Sequence, residues 1–238
     1  MPSQNPIKIL AMIPARLGSK RIPKKNLRYF GDKPLLAHAI TLAKNSNLFD
    51  EVYVNSESIE IGNLAKEYHC KFYQRPGEFS TDISTNEDFV TDFLNNMDCD
   101  YIVMLNPTSP LLSENTLKKF IERIKTSKFD TIFSTVEEKA ECFFQGKPLN
   151  FNYIKKINSQ NIEPVEKIVW ALTSWNRDTF LTAKSKGKSG IFSGSITHFS
   201  IPKDESCDLD TIEDWNIALG IYTSKQKDLY KERYWQER

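Results

Sequence analysis

The sequence predicts an α/β fold, a Rossmann-like and mostly parallel sheet with helices flanking it. Three observations carry that expectation. Short apolar strands alternate with segments of helical period along most of the chain, the pattern of strand–helix–strand crossovers. The first strand, Ile9–Pro14, is an unbroken apolar run, as expected of a parallel strand covered on both faces. And 238 residues, 39% of them hydrophobic and 26% charged, suffice for one sizeable core, so a single domain over residues 1–238 is expected.

The first strand ends abruptly in a loop holding one glycine, Gly18, one serine, Ser19, and five cations, Arg16, Lys20, Arg21, Lys24 and Lys25. Arg16 can grip phosphate oxygens bidentately, the other four supply point charges, and Gly18 lets backbone N–H groups approach an anion. Open α/β sheets bind ligands at the carboxyl ends of their strands, which is where this loop lies. The spacing matches neither a Walker loop nor a dinucleotide fingerprint. A solvated basic loop is the alternative reading.

A helix is expected from Pro34, at its first turn, through Ala43, with His38 as an ordinary helix-face residue. A strand at 51–55 and a helix at 58–68 follow, the helix turning Ile59, Ile61, Leu64 and Ala65 inward. The strand at 71–74 leads into a hydroxyl-rich loop, 75–86, which can read a base edge or can equally be a capped turn with Asn86 as N-cap of a helix over 88–97. Residues 101–105 read as a buried strand, and the loop Asn106-Pro107-Thr108-Ser109-Pro110-Leu111 gives a second ligand edge stiffened by two prolines.

The next helix starts at Ser113 or Glu114, with Leu117, Phe120, Ile121 and Ile124 inward, and the next strand covers 131–136. From 137 to about 165 the periods blur, as in a small hairpin excursion with turns near Gly146 and Asn158. Trp170 and Trp175 suit core or subunit contact more than a sugar platform, although aromatic faces serve both roles. A helix over 176–183, a loop at 187–190 and a strand over 195–201 with a structural His198 complete the regular elements before Asp208. Asp208 and Asp210, at i and i+2 on a strand, would point to one side and could hold Mg²⁺ together with substrate phosphates; Asp210 or Thr211 could equally cap the helix that carries Ile212, Trp215, Ala218 and Leu219. The tail, 225–238, with Tyr230, Tyr234 and Trp235, reads as a helix on a partner subunit or on the surface.

A net charge of +1 gives no general attraction to nucleic acid or to anionic membranes, so the basic loop is local and its partner a small anion. Cys70, Cys99, Cys142 and Cys207 form no C-x-x-C pair, which argues for reduced thiols, a cytoplasmic location and no zinc. Residues 1–6 lack an apolar signal core, and no run approaches the ~18 apolar residues of a membrane span.

The run from Ile13-Pro14-Ala15-Arg16 through Gly18-Ser19-Lys20-Arg21-Ile22-Pro23 to Lys25-Asn26 resembles the N-terminal motif of the CMP-sugar-acid synthetases, the acylneuraminate cytidylyltransferase family. The 106–111 loop resembles that family's L-Q-P-T-S-P-L-R, and Asp208-Leu209-Asp210-Thr211 with Asp214 resembles its D-[IL]-D-T-x-x-D. The resemblance implies the nucleotide-diphospho-sugar transferase fold and the coupling of CTP to a sialic, legionaminic, pseudaminic or Kdo-like acid, with release of pyrophosphate, for surface polysaccharides. It implies that Arg16, Lys20 and Lys25 are catalytic and that Asp208 and Asp210 bind Mg²⁺. Nucleotide contacts would come from Ala15, Arg16, Gly18, Ser19, Asn26, Arg75, Asp82, Asn86, Asn106 and Thr108. It also implies a homodimer, with a dimerisation and acceptor subdomain at about 137–175.

The chain departs from the family pattern on the acceptor side. Asn106 stands for glutamine, Leu112 for arginine, and 164–173 for an R-Q-x-x-P stretch, with Lys156, Lys167 or Arg177 as candidate replacements for its acid-gripping arginine. A phosphonate or phosphorylated acceptor, or a non-catalytic nucleotide binder of a polysaccharide pathway, are the alternatives these departures leave open.

Overall fold

The structure, a computed structural model, describes residues 6–81 and 83–227. Along the chain run β1 (Ile9–Pro14), the hairpin strands β2 (Tyr29–Phe30) and β3 (Lys33–Pro34), α1 (Leu35–Asn45), β4 (Glu51–Ser56), α2 (Ile59–Glu67) and β5 (Lys71–Gln74). There follow α3 (Asn86–Asn96), β6 (Tyr101–Leu105), α4 (Glu114–Thr126), β7 (Thr131–Glu138), the short β8 (Phe143–Phe144) and β9 (Lys147–Pro148), β10 (Val165–Asn176), α5 (Arg177–Ser185), β11 (Ile196–Ser200) and α6 (Ile212–Lys227).

Seven strands form one sheet in the order β11-β7-β10-β6-β1-β4-β5. Only β10 runs antiparallel to its neighbours, so the expected mostly parallel sheet is present. Side chains of β1 alternate between its two faces: Ile9, Ala11 and Ile13 join the core under α1, α2 and α4, while Leu10 and Met12 join the core under α3 and α5. The chain thus leaves β1 towards one face through α1 and arrives at β6 from the other through α3. Between these neighbouring strands lies the switch point at which such sheets open a ligand crevice.

A third, smaller core serves the crevice directly. Ile22 of the cationic loop, Leu111 of the proline loop and Leu209 between the two aspartates are all buried with Phe30, Leu35, Trp215 and Ala218. Three loops distant in sequence are therefore packed on one apolar floor.

The antiparallel strand β10 was not legible as a strand, because the polar pair Thr173 and Ser174 interrupts its apolar pattern although both are fully buried. Its pairing with β7 slips between Ile168 and Thr173. Ser134 bridges the irregularity by donating to Val169 O at 2.5 Å and accepting from Leu172 N at 3.0 Å. Within the irregularity Ala171 O accepts from Asn106 N at 3.0 Å, so the bulge fixes the start of the proline loop. The sheet strands resume at Val165, and the excursion beyond β7 contains the β8–β9 hairpin, whose two turn residues Gln145 and Gly146 have φ of 51° and 77°.

Smaller expectations need correction. Ile59, at the first position of α2, is 58% exposed rather than inward, because Ser58 caps the helix just before it. Thr85, not Asn86, caps α3, through a capping box with Asp88 that starts the helix two residues earlier than expected. Pro34 precedes α1 instead of occupying its first turn, and Ile212 is 42% exposed while Trp215 and Ala218 face inward. His38, as expected, is structural, its Nε2 lying 2.7 Å from Phe30 O. The tail residues Tyr230, Tyr234 and Trp235 lie outside the described residues.

Gly31 carries a testable consequence of the third core. It has φ +66°, and a Cβ built there would lie 2.3 Å from the Tyr222 ring, which is itself fixed by a 2.6 Å hydrogen bond from its hydroxyl to Asp32. Gly31→Ala combines a left-handed backbone with overpacking, so it is expected to destabilise the fold by about 1–3 kcal/mol, read as a lower urea midpoint at constant slope.

Candidate active site

The carboxyl ends of β1, β5 and β6 open onto a crevice of about 520 Å³. Its cationic side comes from the loop after β1, which contributes Ala15, Arg16, Ser19, Lys20, Lys25 and Asn26, and Arg21 beside them. Its opposite side comes from the stretch before α6, which contributes Asp208 and Asp210. Arg75 and Asn86 lie at the end carrying the hydroxyl-rich loop, and Asn106 and Thr108 form the wall from the proline loop. All these sequence-predicted residues line one crevice.

The rest of the prediction fares differently. Gly18 is not in the lining, and neither a left-handed backbone nor packing within the chain calls for glycine there, since a Cβ would meet nothing within 4 Å. Asp82 lies outside the described residues. Lys24, counted among the five cations, turns away to Glu60 on α2 at 2.9 Å.

The two sides of the crevice touch. Asp210 pairs with Arg21 at 2.8 Å and with Lys25 at 3.4 Å, and Lys25 Nζ donates to Leu209 O at 2.5 Å. Residues 206–211 are not a strand, which corrects the reason given for the aspartates sharing a side. Leu209 is buried in the third core and its N–H donates to Thr108 O at 2.9 Å, so the carboxylates on either side of it both reach the crevice. Thr211 and Asp214 form the capping box of α6, which frees Asp210 from that duty.

Although water reaches Asp208, the surrounding crevice wall strips enough solvent to push its carboxyl above the usual range, and the neighbouring Asp210 charge pushes the same way. The Thr108 hydroxyl, facing the Asp208 carboxylate, acts against that shift. Asn26 donates from Nδ2 to Arg16 O at 3.1 Å, but its Oδ1 is buried with no hydrogen bond. A buried acceptor left this way at a crevice calls for a polar occupant.

Arg75 contributes to the wall while most of its donors are engaged within the chain. Nε donates to Ser80 Oγ at 2.7 Å, Nη1 to Asn55 Oδ1 at 3.3 Å and Nη2 to Ala15 O at 3.3 Å, and the guanidinium lies 4.8 Å from the Phe89 ring centre. It builds the loop rather than reaching outward. Phe79, Thr81 and Ser84 of that loop, and Phe89, Met104 and Pro107, also line the crevice and were not singled out from the sequence. The loop's hydroxyls were the available signal. Glu57, just after β4, was missed because nothing about an isolated acidic residue sets it apart; it accepts from Leu17 N at 3.0 Å and Ser80 Oγ at 2.8 Å.

None of the candidate replacements for an acid-gripping arginine lines this crevice. Arg177 donates to Leu94 O and Met97 O at the opposite end of the sheet, Lys156 pairs with Glu141 on the excursion, and Lys167 is exposed on β10. Leu112 is buried in the core under α4.

A family model described as cytidylyltransferase matches residues 10–192. The chain is 31% identical to the pseudaminic acid cytidylyltransferase of Campylobacter jejuni over 91% of this chain and 97% of that protein. It is 29% identical to the N-acylneuraminate cytidylyltransferase of Streptococcus agalactiae over 96% of this chain, of whose length it spans 58%. Among solved structures, CMP:2-keto-3-deoxy-manno-octonic acid synthetase complexed with CTP superposes with a TM-score of 0.69 at 15% identity, covering 92% of this chain and 99% of that one, and this likeness concerns the fold.

Proposed function

Since the chain belongs to the cytidylyltransferase family, we propose that its crevice binds CTP with Mg²⁺ and transfers CMP to a hydroxyl of an acidic sugar, releasing pyrophosphate. The observation that carries this reading is the meeting of Asp210 with Arg21 and Lys25. It brings a cation set suited to a triphosphate and a carboxylate pair suited to a hard cation within one salt bridge of each other.

The donor set fits Mg²⁺. Asp208 and Asp210 supply hard oxygen ligands, and a nearby cation would offset the burial and the Asp210 charge that hold the Asp208 carboxyl above the usual range. The ion would take its remaining ligands from phosphates and water. When bound, the ion would withdraw charge from the phosphoryl group under attack. Arg16, Lys20 and Lys25 would neutralise the triphosphate and stabilise the charge that gathers on departing pyrophosphate. Asn26 Oδ1 would meet a donor of the nucleotide or the acceptor, and Asn106, fixed by Ala171, would hold the wall against which the acceptor hydroxyl lines up. No nucleophilic side chain is required.

A homodimer through the excursion belongs to the same proposal, supported by Phe143, Phe144, Leu149, Tyr153 and Ile154, all more than half exposed there. Cys70, Cys99, Cys142 and Cys207 are all free, which supports a reducing, cytoplasmic setting, and among the described residues no helix is long and apolar enough to cross a membrane.

Pyrophosphate release from CTP and other nucleoside triphosphates, screened against nine-carbon and eight-carbon keto-acid sugars, phosphonates and phosphorylated sugars, tests the reading. Turnover is expected with CTP and a sugar acid. Turnover with a phosphonate or phosphorylated acceptor alone would select that rival acceptor class. CTP binding without turnover on any acceptor would leave a nucleotide binder.

A further inference from the structure

The loop after β1 and the loop after β5 face each other across the crevice, and each is tied by its backbone to the end of β4. Ala15 N donates to Asn55 O at 3.0 Å and Arg75 N to Ser56 O at 3.1 Å. The next residue of that same stretch is Glu57, whose side chain is 22% exposed. Its two oxygens divide their work: Oε1 accepts from Leu17 N at 3.0 Å, while Oε2 accepts from Ser80 Oγ at 2.8 Å and faces Arg75 Nη2 at 3.5 Å.

We propose that Glu57 is a positioning residue for nucleotide binding, a clasp that holds the triphosphate side and the base side of the crevice at a fixed separation before the nucleotide arrives. The proposal rests on the CTP reading above and deepens it. Leu17 directly follows Arg16, so fixing its N–H fixes the direction in which Arg16 leaves the end of β1. Ser80 directly precedes Thr81, whose carbonyl lies 3.5 Å from Arg16 Nη1, so the clasp closes a ring from Arg16 to Glu57 to Ser80 and back. Preformed loops bind a flexible ligand more tightly because less ordering remains to be done on association.

The chemistry requires a carboxylate. Every neighbour named is a donor, and Arg75 is a guanidinium with its side chain only 3% exposed, which needs a counter-charge. Burial acts to raise the Glu57 carboxyl, but the N–H of Leu17, its own N–H, the Ser80 hydroxyl and the Arg75 charge together hold it below the usual range, so the clasp is ionised at neutral pH. Glutamine would set an NH₂ against one of these donors, and aspartate is a methylene too short to serve both loops.

The test is CTP affinity by calorimetry and steady-state kinetics on Glu57→Gln, Ser80→Ala, Ser80→Thr and the Glu57→Gln/Ser80→Ala double variant, with melting temperatures alongside. Glu57→Gln is expected to weaken CTP binding roughly tenfold or more, the scale of one charge-assisted hydrogen bond lost. KM for CTP should rise while KM for the acceptor stays within about twofold, a split that general loosening would not produce. Ser80→Ala should reproduce part of the loss, Ser80→Thr should retain affinity, and the double variant should lose less than the product of the single losses because both remove one contact.

CTP bound equally by the parent chain and Glu57→Gln would overturn the clasp alone. A parent chain that binds no CTP would overturn the nucleotide reading and the clasp with it. If Glu57→Gln does not fold, Ser80→Ala decides: unaltered CTP affinity there is enough to reject the proposal.

Discussion

Arg16→Ala is expected to lower pyrophosphate release on the order of 10²-fold or more, the scale of losing one preorganised transition-state donor. Arg16 stands where β1 ends beside β6, at the switch point of the sheet, and its backbone is fixed by Asn26, which donates to Arg16 O at 3.1 Å. On the proposed reaction its guanidinium would meet the triphosphate from a fixed point of the backbone. Negative charge grows on the leaving pyrophosphate as its bond to the α-phosphate breaks, so a cation held here stabilises the transition state more than the ground state. The loss should fall mainly on kcat. Arg16→Lys keeps the charge but not the two-pronged donor, and should recover only part of the rate. The residue is half-buried at a loop, so the melting temperature should scarcely change in either variant. Pyrophosphate release by Arg16→Ala within about threefold of the parent rate would remove Arg16 from the mechanism, since that is under 1 kcal/mol of transition-state stabilisation.

The parallel part of the sheet was legible because its central strands β1 and β6 are apolar on both faces and its helices keep their period, and the family resemblance to cytidylyltransferases was carried by the loops those strands end in. What escaped has physical causes. Strand β10 hides behind Thr173 and Ser174, two buried residues whose hydroxyls have no partner, and behind a bulge that breaks its alternation. Lys24 and Lys25 look alike in sequence, yet Lys24 has φ 50° and turns to Glu60, while Lys25 is nearly buried against Leu209 and Asp210. The pairing of the aspartates was read as strand alternation, whereas it comes from Leu209 anchored in the third core. Arg75 was read as a base contact, and its role as a wall-builder depends on Asn55, Ser80 and Ala15, which no local spacing announces. Local pattern records which residues lie at strand ends; which donors are already engaged is decided by tertiary packing.

The same packing makes the outcome of Asp208→Asn two-sided. The variant should lose CMP transfer by on the order of 10²-fold or more, because a neutral amide offers one weak ligand oxygen where a carboxylate offered charge as well. Raising magnesium should restore little, whereas the parent chain should saturate. Stability should move the other way. A carboxyl whose value in the folded state lies above that of the unfolded chain makes its ionised form unfavourable to folding at neutral pH, so removing the charge removes that cost. The melting temperature of Asp208→Asn without nucleotide is therefore expected to equal or exceed the parent's, the usual opposition between function and stability, here at a proposed cation site. Asp210→Asn is the contrasting case, since it strips Arg21 and Lys25 of a shared counter-charge and should lower the melting temperature as well as the rate. Unaltered magnesium dependence in both variants would show that this carboxylate pair does not hold the ion.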